Sequence, residues 1–151
     1  MHTGSCECKT IQYKLTAEPL TCYACHCTDC QTSSGSAFGL SMLVNEADIT
    51  VTEGEPGVSI RAINDITVKH HHCTDCGTAF WISADAYPGI LALKPGTFDD
   101  TSWYSPVAHL WVRSAQPWMS LDPAIKQFEK QPEFSELIDL WSASKSTRKT
   151  D

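Results

Sequence analysis

The chain has 151 residues, 42% of them apolar, and a formal charge of −7. That length suits one domain with a real core, and the apolar content excludes a disordered chain. No apolar run approaches the roughly 20 residues of a membrane span, and Met1-His2-Thr3-Gly4-Ser5 lacks the basic start and apolar stretch of a signal peptide, so a cytoplasmic location is predicted.

In chain order, the pattern is mostly that of short strands. Lys9–Thr16 alternates, with Ile11, Tyr13 and Leu15 on one face. Ala37–Val44 follows, with Phe38, Leu40, Met42 and Val44 in phase, and then Asp48–Glu53 with Ile49 and Val51. Gly54-Glu55-Pro56-Gly57 is a turn by composition, and Val58–Ile63 with Ile66–His72 reads as a hairpin across Asn64-Asp65. Thr78–Ser83, Ile90–Lys94 and Val107–Arg113 complete the predicted strands. The pattern predicts a mainly β fold, a sandwich or tent-like arrangement of sheets.

The C-terminal part changes character. Asp122-Pro123 carries the signature of a helix start, predicting a short helix to about Lys130. Beyond Pro132, Phe134, Leu137, Ile138 and Trp141 stand at i, i+3, i+4 and i+7, an amphipathic helix that docks on the β-core or on a second copy in a homodimer. Ser142–Asp151 reads as a polar, frayed tail. Residues 1–130 are accordingly predicted as one domain, and 131–151 as a helix and tail attached to it.

The eight cysteines are clustered: Cys6, Cys8, Cys22, Cys25, Cys27, Cys30, Cys73 and Cys76. In a reducing compartment such spacing reads as metal ligation rather than as disulfides. Cys73-Thr74-Asp75-Cys76-Gly77 is a zinc knuckle, whose glycine permits the tight turn that aims both sulfurs inward. A knuckle supplies two ligands and a closed structural site needs four. Pairing it with Cys6-Glu7-Cys8 leaves Cys25, Cys27 and Cys30 as a three-sulfur site with an open fourth position, the arrangement that supports Lewis-acid chemistry. The alternative is that Cys22 joins Cys25, Cys27 and Cys30 in a second closed site, which makes the protein a non-catalytic zinc-stabilised binding module.

Other residues weigh less. His70, His71 and His72 precede the knuckle, but strand neighbours point to opposite faces, so three in a row cannot converge on one ion. His26 lies within the cysteine run with its ring expected to point away from the sulfurs. His109, in the apolar stretch Ala108–Val112, reads either as a satisfied core histidine or as a residue of the site. The small residues of Gly35-Ser36-Ala37-Phe38-Gly39 leave room for a ligand to approach an open metal position, or simply form a loop. Residues 1–120 hold six Lys and Arg against twelve Asp and Glu, which argues against nucleic acid as a partner.

The motifs Gly4-Ser5-Cys6-Glu7-Cys8, Cys25-His26-Cys27-Thr28-Asp29-Cys30, Gly35-Ser36-Ala37-Phe38 and Cys73-Thr74-Asp75-Cys76-Gly77-Thr78 stand in the order and spacing of a known group. Together with Ala108–Val112 and Pro117-Trp118, they make residues 3–130 resemble the glutathione-dependent formaldehyde-activating enzyme family, which includes the centromere protein V domain. The resemblance implies a β-tent fold of the Mss4-like type. It implies two zinc ions per chain, a structural one on Cys6, Cys8, Cys73 and Cys76 and a catalytic one on Cys25, Cys27 and Cys30. It further implies a carbon–sulfur lyase running as a synthase, which joins glutathione or another small-molecule thiol to formaldehyde; the residues read as standing beside that thiol are Gly35, Ser36 and His109. Two residues depart from the pattern: Lys9, where members commonly have glycine, and the additional Cys22. Three thiolates on Zn²⁺ leave a net negative site that favours a soft thiol ligand. Glutathione, however, carries two carboxylates, and the β-region offers few cations to meet them.

Overall fold

A computed structural model describes residues 1–148. In chain order the elements are β1 His2–Ser5, β2 Gln12–Leu15, β3 Thr21–Cys25, α1 Thr28–Ser34, β4 Gly39–Asn45, β5 Ile49–Glu53, β6 Gly57–Ile63, β7 Ile66–His72, β8 Ala79–Ala84, β9 Ile90–Leu93, β10 Ala108–Leu110, β11 Lys126–Phe128 and α2 Phe134–Arg148. The fold is mainly β with a C-terminal helix, as the sequence predicts. The chain divides into two compact units, Met1–Pro19 with Met42–Trp103, and Leu20–Ser41 with Tyr104–Asp151.

In the first unit β1, β2 and β5 form an antiparallel three-stranded sheet. A second antiparallel run follows the order β4-β9-β8-β7-β6. The alternation Ile11, Tyr13, Leu15 does face inward, with all three buried. Tyr13 is the hub of this core: its ring meets Phe80 and Trp81 edge-on, each at 5.8 Å, while its hydroxyl reaches the Thr97 hydroxyl at 2.7 Å. The same ring explains Gly4, where a Cβ would lie 2.5 Å from the Tyr13 ring and 2.6 Å from the Thr97 carbonyl. The hairpin between β6 and β7 turns at Asn64 and Asp65, both at positive φ (48° and 65°). Those angles give the turn the twist that antiparallel strands require.

In the second unit β10 pairs in parallel with both β3 and β11, and α2 lies against β3. The helix is anchored through its predicted stripe, with Leu137 and Trp141 buried. The Thr21 hydroxyl donates to the Leu137 carbonyl at 2.8 Å.

Several boundaries differ from the sequence pattern. The strand placed at Lys9–Thr16 begins only at Gln12, because Cys6–Lys9 closes a turn in which Lys9 N–H donates to the Cys6 carbonyl at 3.0 Å. The strand placed at Val107–Arg113 shrinks to Ala108–Leu110, since Trp111 turns to φ 57° and a single 3-10 turn follows. The helix placed after Asp122-Pro123 is one turn, closed by Ala124 N–H on the Asp122 carboxylate at 2.9 Å, and then strand β11. Here the ladder to β10 outcompetes the local helix signal. The tail read as frayed from Ser142 is helical through Arg148, and 149–151 lie outside the described residues. The pattern missed β1, β3 and α1.

Candidate metal centre

Cys6, Cys8, Cys73 and Cys76 bring their four sulfurs within 4.8 Å of one another. The Cys6–Cys8 and Cys8–Cys73 sulfurs are 3.4 and 3.7 Å apart, and none of the eight cysteines is in a disulfide. A tetrahedral zinc with Zn–S bonds of about 2.3 Å requires sulfurs about 3.8 Å apart, close to the spacing of this donor set. Two turns aim the sulfurs. In the knuckle, Gly77 takes φ 78° and its N–H donates to the Cys73 carbonyl at 2.9 Å. In the N-terminal turn, Lys9 adopts the corresponding left-handed conformation at φ 65°.

The surroundings act unequally on these thiols. Ile11 N–H donates to the Cys6 sulfur at 3.3 Å. The Thr78 hydroxyl, 3.2 Å from the Cys76 sulfur, is the main cause that brings the Cys76 thiol down to about 6. Cys8 is pushed up to about 11: the Thr10 hydroxyl favours its thiolate, but the adjoining Cys6 and desolvation outweigh that effect. A metal at this position would take up the charge that four adjacent thiols cannot carry together.

Cys25, Cys27 and Cys30 form the second group, also with sulfurs within 4.8 Å. Cys25 ends β3, Cys27 caps α1, and Cys30 sits in the first helical turn, with its N–H donating to the Cys27 sulfur at 3.4 Å. Cys25 is buried, whereas Cys27 and Cys30 are half-exposed. Burial raises the Cys27 thiol, opposed by the Cys30 N–H and reinforced by the Cys30 sulfur. Among the described residues no fourth cysteine, histidine or carboxylate joins this group. Cys22 is fully buried on β3 and does not belong to it. On a strand its side chain has the opposite parity to that of Cys25.

Of the histidines, none joins either sulfur group. His26 and His109 are buried and bonded to each other, Nε2 to Nδ1 at 2.9 Å. Burial lowers both rings below the ordinary histidine value, with His109 adding to the effect on His26 and Asp122 opposing it on His109. His71 meets the Ser83 hydroxyl at 3.3 Å, and His72 Nδ1 lies 3.4 Å from the His70 carbonyl. Gly35 and Ser36 follow the end of α1 and line an open cleft together with Gln31, Thr32, Gln116 and Trp118. The sequence reading singled out neither glutamine, because the contacts between them join residues 85 positions apart.

A mainly β fold carrying two all-sulfur groups able to hold a metal defines a β-tent protein of the Mss4-like type. The model of the family described as "Glutathione-dependent formaldehyde-activating enzyme" matches residues 1–114, and the chain belongs to that family. Its function is therefore of the formaldehyde-activating, glutathione-related kind. No curated protein matches the chain. Among solved structures, a crystal structure of a Rhodobacter sphaeroides protein, a structural genomics target, is similar in fold. It shows a TM-score of 0.52 at 16% identity over 69% of this chain and 91% of that one.

Proposed function

We propose that the chain is a zinc-dependent carbon–sulfur lyase, acting as a synthase, which forms and cleaves the adduct of a glutathione-type thiol with formaldehyde or another small electrophile. The observation that carries this reading is the incomplete second sulfur group: three cysteines converge and, among the described residues, no fourth protein ligand joins them. One zinc ion would be held by Cys6, Cys8, Cys73 and Cys76 for structure, and a second by Cys25, Cys27 and Cys30 for chemistry. Bound at the second group, zinc supplies a Lewis acid that lowers the pKa of a thiol or polarises a carbonyl.

The reaction itself is an addition. The thiol sulfur forms a bond to the carbonyl carbon, the carbon–oxygen π bond opens, and the thiol proton passes to the oxygen to give a hydroxymethyl thioether. The reverse step breaks the carbon–sulfur bond and returns the proton. The residues contribute placement. Cys30 N–H fixes the Cys27 sulfur, and the half-exposure of Cys27 and Cys30 leaves one side of the group accessible. No described helix is long and apolar enough to cross a membrane, and we place the protein in the cytoplasm, where the thiols stay reduced.

Zinc counting with activity tests the reading. Wild type should hold two zinc ions and turn over the formaldehyde adduct of glutathione. Cys22→Ala should keep both ions, whereas Cys27→Ser should keep one and lose turnover by at least about a hundredfold, the upper end of what losing even a supporting partner of a metal ligand costs. Unchanged turnover in Cys27→Ser, or loss of an ion in Cys22→Ala, overturns it. The second outcome would favour the closed, non-catalytic module.

A further inference from the structure

β6 is the last strand of the antiparallel run β4-β9-β8-β7-β6, and its central residues Val58–Ala62 are all exposed. Half of its peptide N–H and C=O groups therefore face away from β7 without a ladder partner. Native edges are usually blunted by shortness, lysine, proline or a bulge, and β6 has none of these. It pairs with β7 over its whole length without a register shift, and it contains neither lysine nor proline. The other sheet edges are shorter, with three residues in β11, four in β1 and five in β5. Val58 and Ile60, on one face of the strand, are 48% and 65% exposed. Such an edge is suited to receive a further strand.

Charge selects that strand. Arg61 on β6 and Glu55, just before β6 begins, are both exposed, and neither has an ion-pair partner among the described residues. Two copies of β6 related by a two-fold axis normal to the sheet run antiparallel, and each face of the strand meets the same face of its copy. Centred on Ser59, this pairing sets Val58 opposite Ile60 of the second copy, twice, as contacts between β-branched side chains. On the other face it sets Arg61 opposite Gly57 and diagonal to Glu55 of the second copy, again twice, so both unpaired charges meet an opposite one. The register centred on Ile60 does the reverse: the two arginines become diagonal neighbours, and Glu55 comes level with Asp65. Centring on Val58 leaves only Gly57–Ser59 of each strand in the ladder. The segment is thus complementary to itself in one register.

We propose that β6 is the docking edge for a second copy of this chain, joined antiparallel about Ser59 so that the two copies share one continuous run of strands. The interface carries ladder hydrogen bonds over Gly57–Arg61, two Val58–Ile60 contacts and two Arg61–Glu55 pairs. It uses no residue of either sulfur group and stands independently of the proposed reaction.

Sedimentation of the metal-replete full chain over a dilution series tests it, with monomer and dimer distinguished by mass. Wild type should dimerise. Ile60→Lys places a charge at an edge position that is already exposed, so the fold should stand while the dimer is lost. Arg61→Glu should weaken the dimer about tenfold, since the change acts at two symmetric places. Glu55→Arg combined with Arg61→Glu should recover it, which an edge that is merely adhesive would not show. Amide exchange in β6 should slow as the wild-type concentration rises and stay fast in Ile60→Lys. A monomer at every concentration up to about 1 mM, the behaviour expected if the edge instead receives another protein's strand, overturns the proposal. So does a dimer that survives Ile60→Lys, or one that the double charge reversal fails to restore.

Discussion

Lys9 occupies a backbone position that ordinarily selects glycine. At φ 65° it turns the chain between Cys8 and Thr10, a conformation that costs a side-chain-bearing residue about 1–2 kcal/mol. Its ammonium offsets part of that by donating to the Ser5 hydroxyl at 2.7 Å and lying 3.6 Å from the Asp99 carboxylate. The sequence flagged Lys9 only as a departure from its family; the positive φ supplies the reason that glycine is common there. The two cysteine groups were legible because cysteines at such short spacing have few other uses. Gln31, Gln116 and the His26–His109 pair were not, because bonds between residues 83 to 85 positions apart leave no local pattern. His70 gives a prediction at this scale. Its Nε2 is buried without a partner among the described residues. Burial first, then the positive charges of Arg61 and Lys94 and the neighbouring His72, lower its ring below the ordinary value. Acidification therefore protonates the unfolded chain before the folded one. Stability should be fully present above about pH 6.5 and fall as the pH drops below that value. His70→Gln should lose less of its thermal midpoint than wild type between neutral and mildly acidic pH; equal losses would show that His70 is not the group responsible.

Elements were legible where one face is buried and the other is not. The alternation that begins at Ile11 and the helical stripe of α2 both place their apolar residues in the interior. By contrast, β3 is buried at every position, Thr21 through Cys25, and so shows no alternation at all. The parallel ladder of β3, β10 and β11 also hides from local reading, since its strands are as short as three residues and draw their stability from partners far along the chain. α1 was masked by its own chemistry: Cys27 serves both as ligand candidate and as helix cap, a place usually taken by Ser, Thr, Asp or Asn. α2 is the element whose packing can be tested most directly. Leu137 is fully buried, and its carbonyl accepts from Thr21 of β3. Leu137→Ala removes the side chain but leaves that backbone bond, so it isolates packing, and it should destabilise by about 2–5 kcal/mol. Urea unfolding should show this as a lower midpoint with an unchanged slope. A loss below about 0.5 kcal/mol, the size of an ordinary surface change, would mean that α2 does not dock through this face.

At the scale of the whole molecule, each compact unit carries one sulfur group: Cys6, Cys8, Cys73 and Cys76 in the first, and Cys25, Cys27 and Cys30 in the second. Their partition was legible because a knuckle with two cysteines demands two more, and Cys6-Glu7-Cys8 was the one other closely spaced pair outside Cys22–Cys30. Their structural weight is unequal. The first group joins residues 65 positions apart, so a metal there closes a long loop and constrains the unfolded chain strongly. The second lies within six residues of sequence, closes almost no loop, and is anchored mainly by β3 and the cap of α1. Metal loss should therefore occur in two stages. A moderate chelator should take one ion first, from Cys25, Cys27 and Cys30, because three thiolates hold less tightly than four. Amide exchange should then quicken over Thr28–Ser34 while His2–Leu15 and Ala79–Ala84 stay protected. Only a stronger chelator or acid should remove the second ion, and the first unit should lose protection with it. Release of both ions in one phase, or early exchange across β1 and β2, would show that the two groups are not independent sites of unequal strength.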